Sequence, residues 1–86
     1  MRADAVRVRV QLFAWLRDAA GTEETTVELA AGARGDDARD ALAARWPALR
    51  ALLPGVRLAV NQEYRPWGTA LADGDALALI PPVSGG

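Results

Sequence analysis

The chain has 86 residues, 51% hydrophobic and 24% charged, with a net charge of −1. Those proportions suit one small globular domain rather than a disordered chain, and the near-neutral charge gives no basic field for nucleic acid or an anionic membrane surface. Cysteine, histidine and lysine are all absent, which removes disulfides, thiolate and imidazole chemistry, Schiff bases and the common zinc sets from the chain's own repertoire.

The opening MRADAVRVRV lacks the apolar core of a secretory signal, and no later run is long enough to span a bilayer. The expectation is a cytoplasmic protein. From Val6 the sequence alternates, with Val6, Val8, Val10 and Leu12 on one side and Arg7, Arg9, Gln11 and Phe13 on the other, the period of a half-buried strand. Ala14 to Ala20 is rich in helix formers and stops at Gly21, a C-terminal cap. Thr25 to Leu29 alternates again and reads as a second strand.

Ala30 to Gly35 is small and glycine-bearing, a loop. Asp36 or Asp37 then caps a helix from Ala38 to Trp46, where Ala38, Leu42, Trp46 and Leu49 form one apolar stripe. Pro47 breaks this helix, a further turn runs to Leu53, and Pro54-Gly55 reverses the chain. Val56, Leu58 and Val60 mark a third strand, with a short segment near Tyr64 after it. Asp73-Gly74-Asp75 is a tight turn; its two carboxylates read as turn formers rather than metal ligands. Ala76 to Ile80 is a strand too apolar for an edge. The first and last strands are expected side by side and parallel, because the helix lies in the long connection between them. The fold class is therefore α+β, with a mixed sheet of about five strands and one main helix on one face: a β-grasp, or ubiquitin-like, arrangement. The ferredoxin-like alternative needs a second long helix, and Ala14 to Ala20 is short for that role.

Beyond Ile80 the chain reads IPPVSGG. Pro81 and Pro82 give no N–H to a ladder, so they end the sheet and favour an extended exit. Six residues at about 3.3 Å each reach roughly 20 Å. Val83, Ser84, Gly85 and Gly86 taper to almost no width, which suits a channel in another protein. A frayed, inert end is the plain alternative.

These stretches carry a resemblance. VQLFAWLRDAAGTEETTVEL, ALAARWPALRALL, LAVNQEYR and, most specifically, LADGDALALIPPVSGG are similar to the sulfur carriers that form the small subunit of molybdopterin synthase. Pro66-Trp67-Gly68 departs from that pattern, which is usually more acidic or polar there. The resemblance implies one domain over residues 1–86, with 81–86 as a tail, and a carrier that is not catalytic by itself. Gly86 would be adenylated by a partner resembling ubiquitin-activating enzymes, which uses ATP. A sulfur donor of the desulfurase or rhodanese type would then displace AMP to leave a thiocarboxylate. The loaded tail would enter the large synthase subunit and give its sulfur to a cyclic pyranopterin monophosphate, two transfers building the dithiolene. No stably bound cofactor, metal, nucleic acid or membrane is implied. Carriers feeding thiamine, cysteine or tRNA thiolation share the tail chemistry, and a ubiquitin-like modifier joined to lysines remains a further alternative.

With the even positions of the first strand facing the helix, Phe13 falls on the other face. Leu77 and Leu79 should point inward, leaving Ile80 beside Phe13 at the tail's exit. Exposed apolar residues gathered at one place mark an interface; Tyr64 is expected to join them and Arg17 to add a polar rim. Trp15 and Trp46 are expected in packing. Trp67 is either an exposed contact or a lid on the core.

Overall fold

A computed structural model describes residues 5–82. Of the tail, Val83, Ser84, Gly85 and Gly86 lie outside the described residues. The elements are β1 (Ala5–Leu12), α1 (Ala14–Ala20), β2 (Glu24–Ala30), α2 (Gly35–Arg45), a 3-10 turn (Pro47–Leu49), β3 (Arg57–Val60), β4 (Glu63–Arg65) and β5 (Ala76–Ile80). The strands form one sheet in the order β2-β1-β5-β3-β4. β1 and β5 are parallel, and every other neighbouring pair is antiparallel. With α2 as the single long helix packed into the core, this is the β-grasp fold. Seven residues in α1 leave no second long helix for the ferredoxin-like alternative.

The period-two reading of β1 holds residue by residue. Val6, Val8, Val10 and Leu12 are buried while Arg7, Arg9 and Gln11 are exposed. β5 repeats the pattern with Leu77 and Leu79 inside. Against these inward rows α2 sets Ala38, Leu42 and Ala43, and the 3-10 turn adds Leu49. Fully burying one such leucine is worth about 1.5–3 kcal/mol, and Leu12, Leu16, Leu42, Leu49, Leu58, Leu77 and Leu79 are all below 2% exposure or close to it. The core is therefore leucine-rich and continuous from α1 to β5.

Two expectations need correction. The cap of α2 is neither Asp36 nor Asp37: Arg34 is the extended N-cap residue and the helix starts at Gly35. Asp37, in the third helical position, accepts the Arg34 N–H at 2.8 Å. Arginine has no acceptor to return, so the loop after β4 satisfies the first turn instead. The Gly35 N–H donates to the Thr69 carbonyl at 3.0 Å and the Asp36 N–H to the Trp67 carbonyl at 2.8 Å. Trp15 is the second correction. It is 40% exposed rather than packed, because the buried position of short α1 is taken by Leu16. Trp46 does pack against the core.

Candidate functional site

The site is built on the strand that carries the tail. β5 is the middle strand of five, gripped by β1 on one side and β3 on the other. At its end Pro81 is half-buried and Pro82 exposed. Pro82 passes the 54–55 turn closely enough that a Cβ on Gly55, which holds φ +85°, would lie 3.6 Å from Pro82 Cγ. The root of the tail thus leaves a central strand and runs past a turn.

The register decides which side chains surround this root. Arg57 is opposite Ile80, and Ala59 is opposite both Ala78 and Tyr64. Leu12 is opposite Leu79, and Phe13 continues in extended backbone with φ −117°. Phe13, Ile80, Arg57 and Tyr64 therefore share the face turned away from the core, at the end where β5 gives way to the prolines. Phe13 is 42% exposed and Tyr64 60%. The guanidinium carbon of Arg57 lies 4.9 Å from the centre of the Tyr64 ring. The floor between them is small, formed by Ala59 and Ala78.

Phe13 is not covered by α1. Ala14 adopts a φ of +52°, costly for a residue with a Cβ, and this turns α1 away from the strand. Trp15 then stands out two residues beyond Phe13, a third exposed aromatic, and one that sequence reasoning assigned to packing. Arg17 is exposed and 3.9 Å from Asp18; it lies on α1, one turn beyond Phe13. Trp67 proves to be a lid: it is half-buried against the core, its indole N–H donates to the Val56 carbonyl at 3.1 Å, and Arg39 covers its ring at 4.8 Å.

Asp73 and Asp75 act as turn formers. Asp73 Oδ1 accepts the Arg7 N–H and Asp75 Oδ2 the Ala72 N–H, both at 2.8 Å. No group of acidic residues placed to hold a metal occurs among the described residues, and no helix is long and apolar enough to cross a membrane. The exposed face offers recognition, with no histidine or cysteine to move a proton. Arg57 is the residue that sequence reasoning missed here. The two-residue Asn61-Gln62 turn sets Ala59 against Tyr64, which puts Arg57 diagonally beside the ring, and that register follows from the structure rather than from the sequence pattern.

A profile of the ThiS family matches residues 10–86. The chain belongs to the ThiS family. Within it, the molybdopterin synthase sulfur carrier subunit of Chlamydomonas reinhardtii is 43% identical over 83 residues, covering 94% of this chain and 100% of that one. The crystal structure of SAMP1 from Haloferax volcanii, a small archaeal modifier protein, superposes with a TM-score of 0.86 at 36% identity, covering 93% of this chain and 99% of that one. A protein–protein complex of subunits 1 and 2 of the molybdopterin-converting factor of Helicobacter pylori contains a chain with TM-score 0.67 and 26% identity, covering 94% and 100%. This ThiS family member thus shares both length and fold with carriers and with a modifier.

Proposed function

We propose that this protein is the sulfur carrier subunit of a cytoplasmic molybdopterin synthase, and that Gly86 is its reactive residue. The carboxylate of Gly86 attacks the α-phosphorus of ATP on an activating enzyme of the ubiquitin-activating kind, and pyrophosphate leaves. A carboxylate is a poor electrophile; the mixed anhydride with AMP supplies the leaving group it lacks. The terminal sulfur of a persulfide on a donor of the desulfurase or rhodanese type then attacks the acyl carbon and AMP departs. A thiol cleaves the resulting acyl disulfide, becoming oxidised to a disulfide with the donor cysteine as the thiocarboxylate is released. The thiocarboxylate formed is a soft nucleophile that attacks a cyclic pyranopterin monophosphate on the large subunit. Water then cleaves the resulting thioester, leaving sulfur on the pterin and the Gly86 carboxylate restored. Pro81 to Gly85 link Gly86 to the end of β5, and Phe13, Ile80 and Tyr64, rimmed by Arg17, dock against the large subunit. Acid–base groups come from the partners, since this chain has neither histidine nor cysteine.

The observation that carries this reading is the full-length likeness to a molybdopterin synthase sulfur carrier subunit, joined to a tail root that leaves the central strand. Intact-mass analysis after incubation with the activating enzyme, ATP and a sulfur source tests it. One oxygen should be replaced by sulfur at Gly86. Deleting Gly86 should abolish that change and leave thermal stability as it was. A deletion variant that still supports cofactor production sinks the proposal.

The likeness to SAMP1 favours a second reading, a modifier joined through the same glycine to lysines of other proteins. Conjugates of this chain detected in cells by mass spectrometry would support that role. The absence of lysine from its own sequence leaves no side-chain amine for building chains on itself.

A further inference from the structure

We propose that Arg57, lying over the Tyr64 ring, is the charged specificity contact of the tail-side face, and that it receives an aspartate or glutamate of the protein that accepts the tail. This rests on the docking face described under the proposed function and assigns the chemistry of the partner surface that fits it.

Three observations converge on Arg57. The register sets it opposite Ile80, the last strand residue before the prolines, so its side chain projects beside the root of the tail. Its guanidinium carbon lies over the Tyr64 ring, 4.9 Å from the ring centre, on the same face. Among the described residues it has no ion pair, which is also true of Arg9, Arg34, Arg39, Arg45 and Arg50, but of these Arg57 alone is set opposite the last strand residue before the prolines.

Stacking on an aromatic face occupies the plane of a guanidinium and leaves its N–H edges free. Those edges match a carboxylate in two-point geometry. The ring also restricts the rotamers of a long side chain, so less ordering remains to be done when a partner binds. Toward the tail the neighbouring positions on this face are apolar, Ile80, Ala59, Ala78 and, beyond β5, Phe13, while Arg65 and Pro66 flank the groove beside Arg57 and Gln11 lies opposite Ala78. A partner that covers such a patch removes water from Arg57, and a desolvated cation without a counter-charge is costly. The complementary surface therefore carries a carboxylate set in apolar surroundings, while a surface presenting a cation at that point is rejected.

Titration calorimetry of the full chain against the intact large subunit tests this, with circular dichroism as a check on folding. Arg57→Glu should weaken binding by roughly thirty-fold or more, the loss expected when a charged hydrogen-bonded pair becomes a repulsive one. Tyr64→Leu should give a smaller loss, because the guanidinium stays charged but is no longer held. Raising the salt concentration should weaken the wild type more than Arg57→Glu. Phe13→Asp serves as the control for the face itself. If Phe13→Asp weakens binding while Arg57→Glu binds within about two-fold of wild type, the face stands and the assignment of Arg57 is overturned. If neither substitution matters, or the wild type does not bind, the face and the assignment fall together.

Discussion

A Cβ built on Gly35 would sit 2.6 Å from Leu58 Cδ2 and 2.8 Å from the Trp67 carbonyl oxygen. The second neighbour is backbone, and it is the acceptor of the Asp36 N–H, so it cannot yield without opening the first turn of α2. Gly35→Ala should therefore cost about 1–3 kcal/mol, the range for forcing an extra methyl group into a packed site. At Gly68 an added Cβ meets nothing within 4 Å, and Gly68→Ala should change stability by no more than about 0.5 kcal/mol. Denaturant unfolding of the two variants checks the contrast, and equal losses would show that the close approach at Gly35 is relieved by movement. Neither role can be read from the sequence, where both residues look like loop glycines. What separates them is a contact between segments more than thirty positions apart, with Trp67 lying over the start of α2. The same long-range contact hid the cap of α2, because carbonyls of the 67–69 loop supply what a local acidic cap was expected to supply.

The β3–β4 hairpin turns on two residues, Asn61 and Gln62, with φ of 51° and 74°. Both are left-handed, as a two-residue hairpin of this twist requires. Asn61 is suited to the position and is used twice: its Nδ2 donates to Asp75 Oδ1 and its Oδ1 accepts the Ala76 N–H, each at 3.0 Å. It ties the turn to the start of β5. Gln62 makes no such bond and carries the cost of a Cβ in left-handed backbone. Gln62→Gly should stabilise the protein by about 0.5 kcal/mol, since relief of that strain exceeds the added freedom of the unfolded chain. Asn61→Ala should lose about 1–2 kcal/mol by leaving the Ala76 N–H without its partner. Opposite signs for adjacent residues are the diagnostic, read as shifts of the unfolding midpoint. The strands themselves were legible because period two survives in β1 and β5 almost without exception. The turn's position was legible only as the end of the Val56–Val60 alternation before a short segment near Tyr64.

At the scale of the whole molecule, the sheet order explains why the tail begins where it does. Leaving from β5 means leaving from the centre of the sheet, so a pull on the tail is borne by two ladders rather than one. The pairing that creates this arrangement was readable: alternation in β1 and β5, with a helix between them in the chain, forecasts parallel neighbours and puts Phe13 beside Ile80. The cation on that face was not, since it depends on the exact hairpin register that brings Tyr64 under Arg57. The same arrangement fixes the order in which strands open. β2 and β4 are edges, and β4 has only three exposed residues, whereas Leu77 and Leu79 of β5 are buried between layers and bonded on both sides. Backbone amides of β5 should exchange with solvent only through global unfolding, and those of β4 through cheaper local opening. Native-state hydrogen exchange in rising denaturant separates the two. β5 amides should merge onto the global unfolding line with its full denaturant slope, while β4 amides lie below it with almost none. If β5 amides instead exchanged through a low-slope opening, the strand would detach on its own, and the tail would be carried by a mobile segment rather than by the most protected part of the fold.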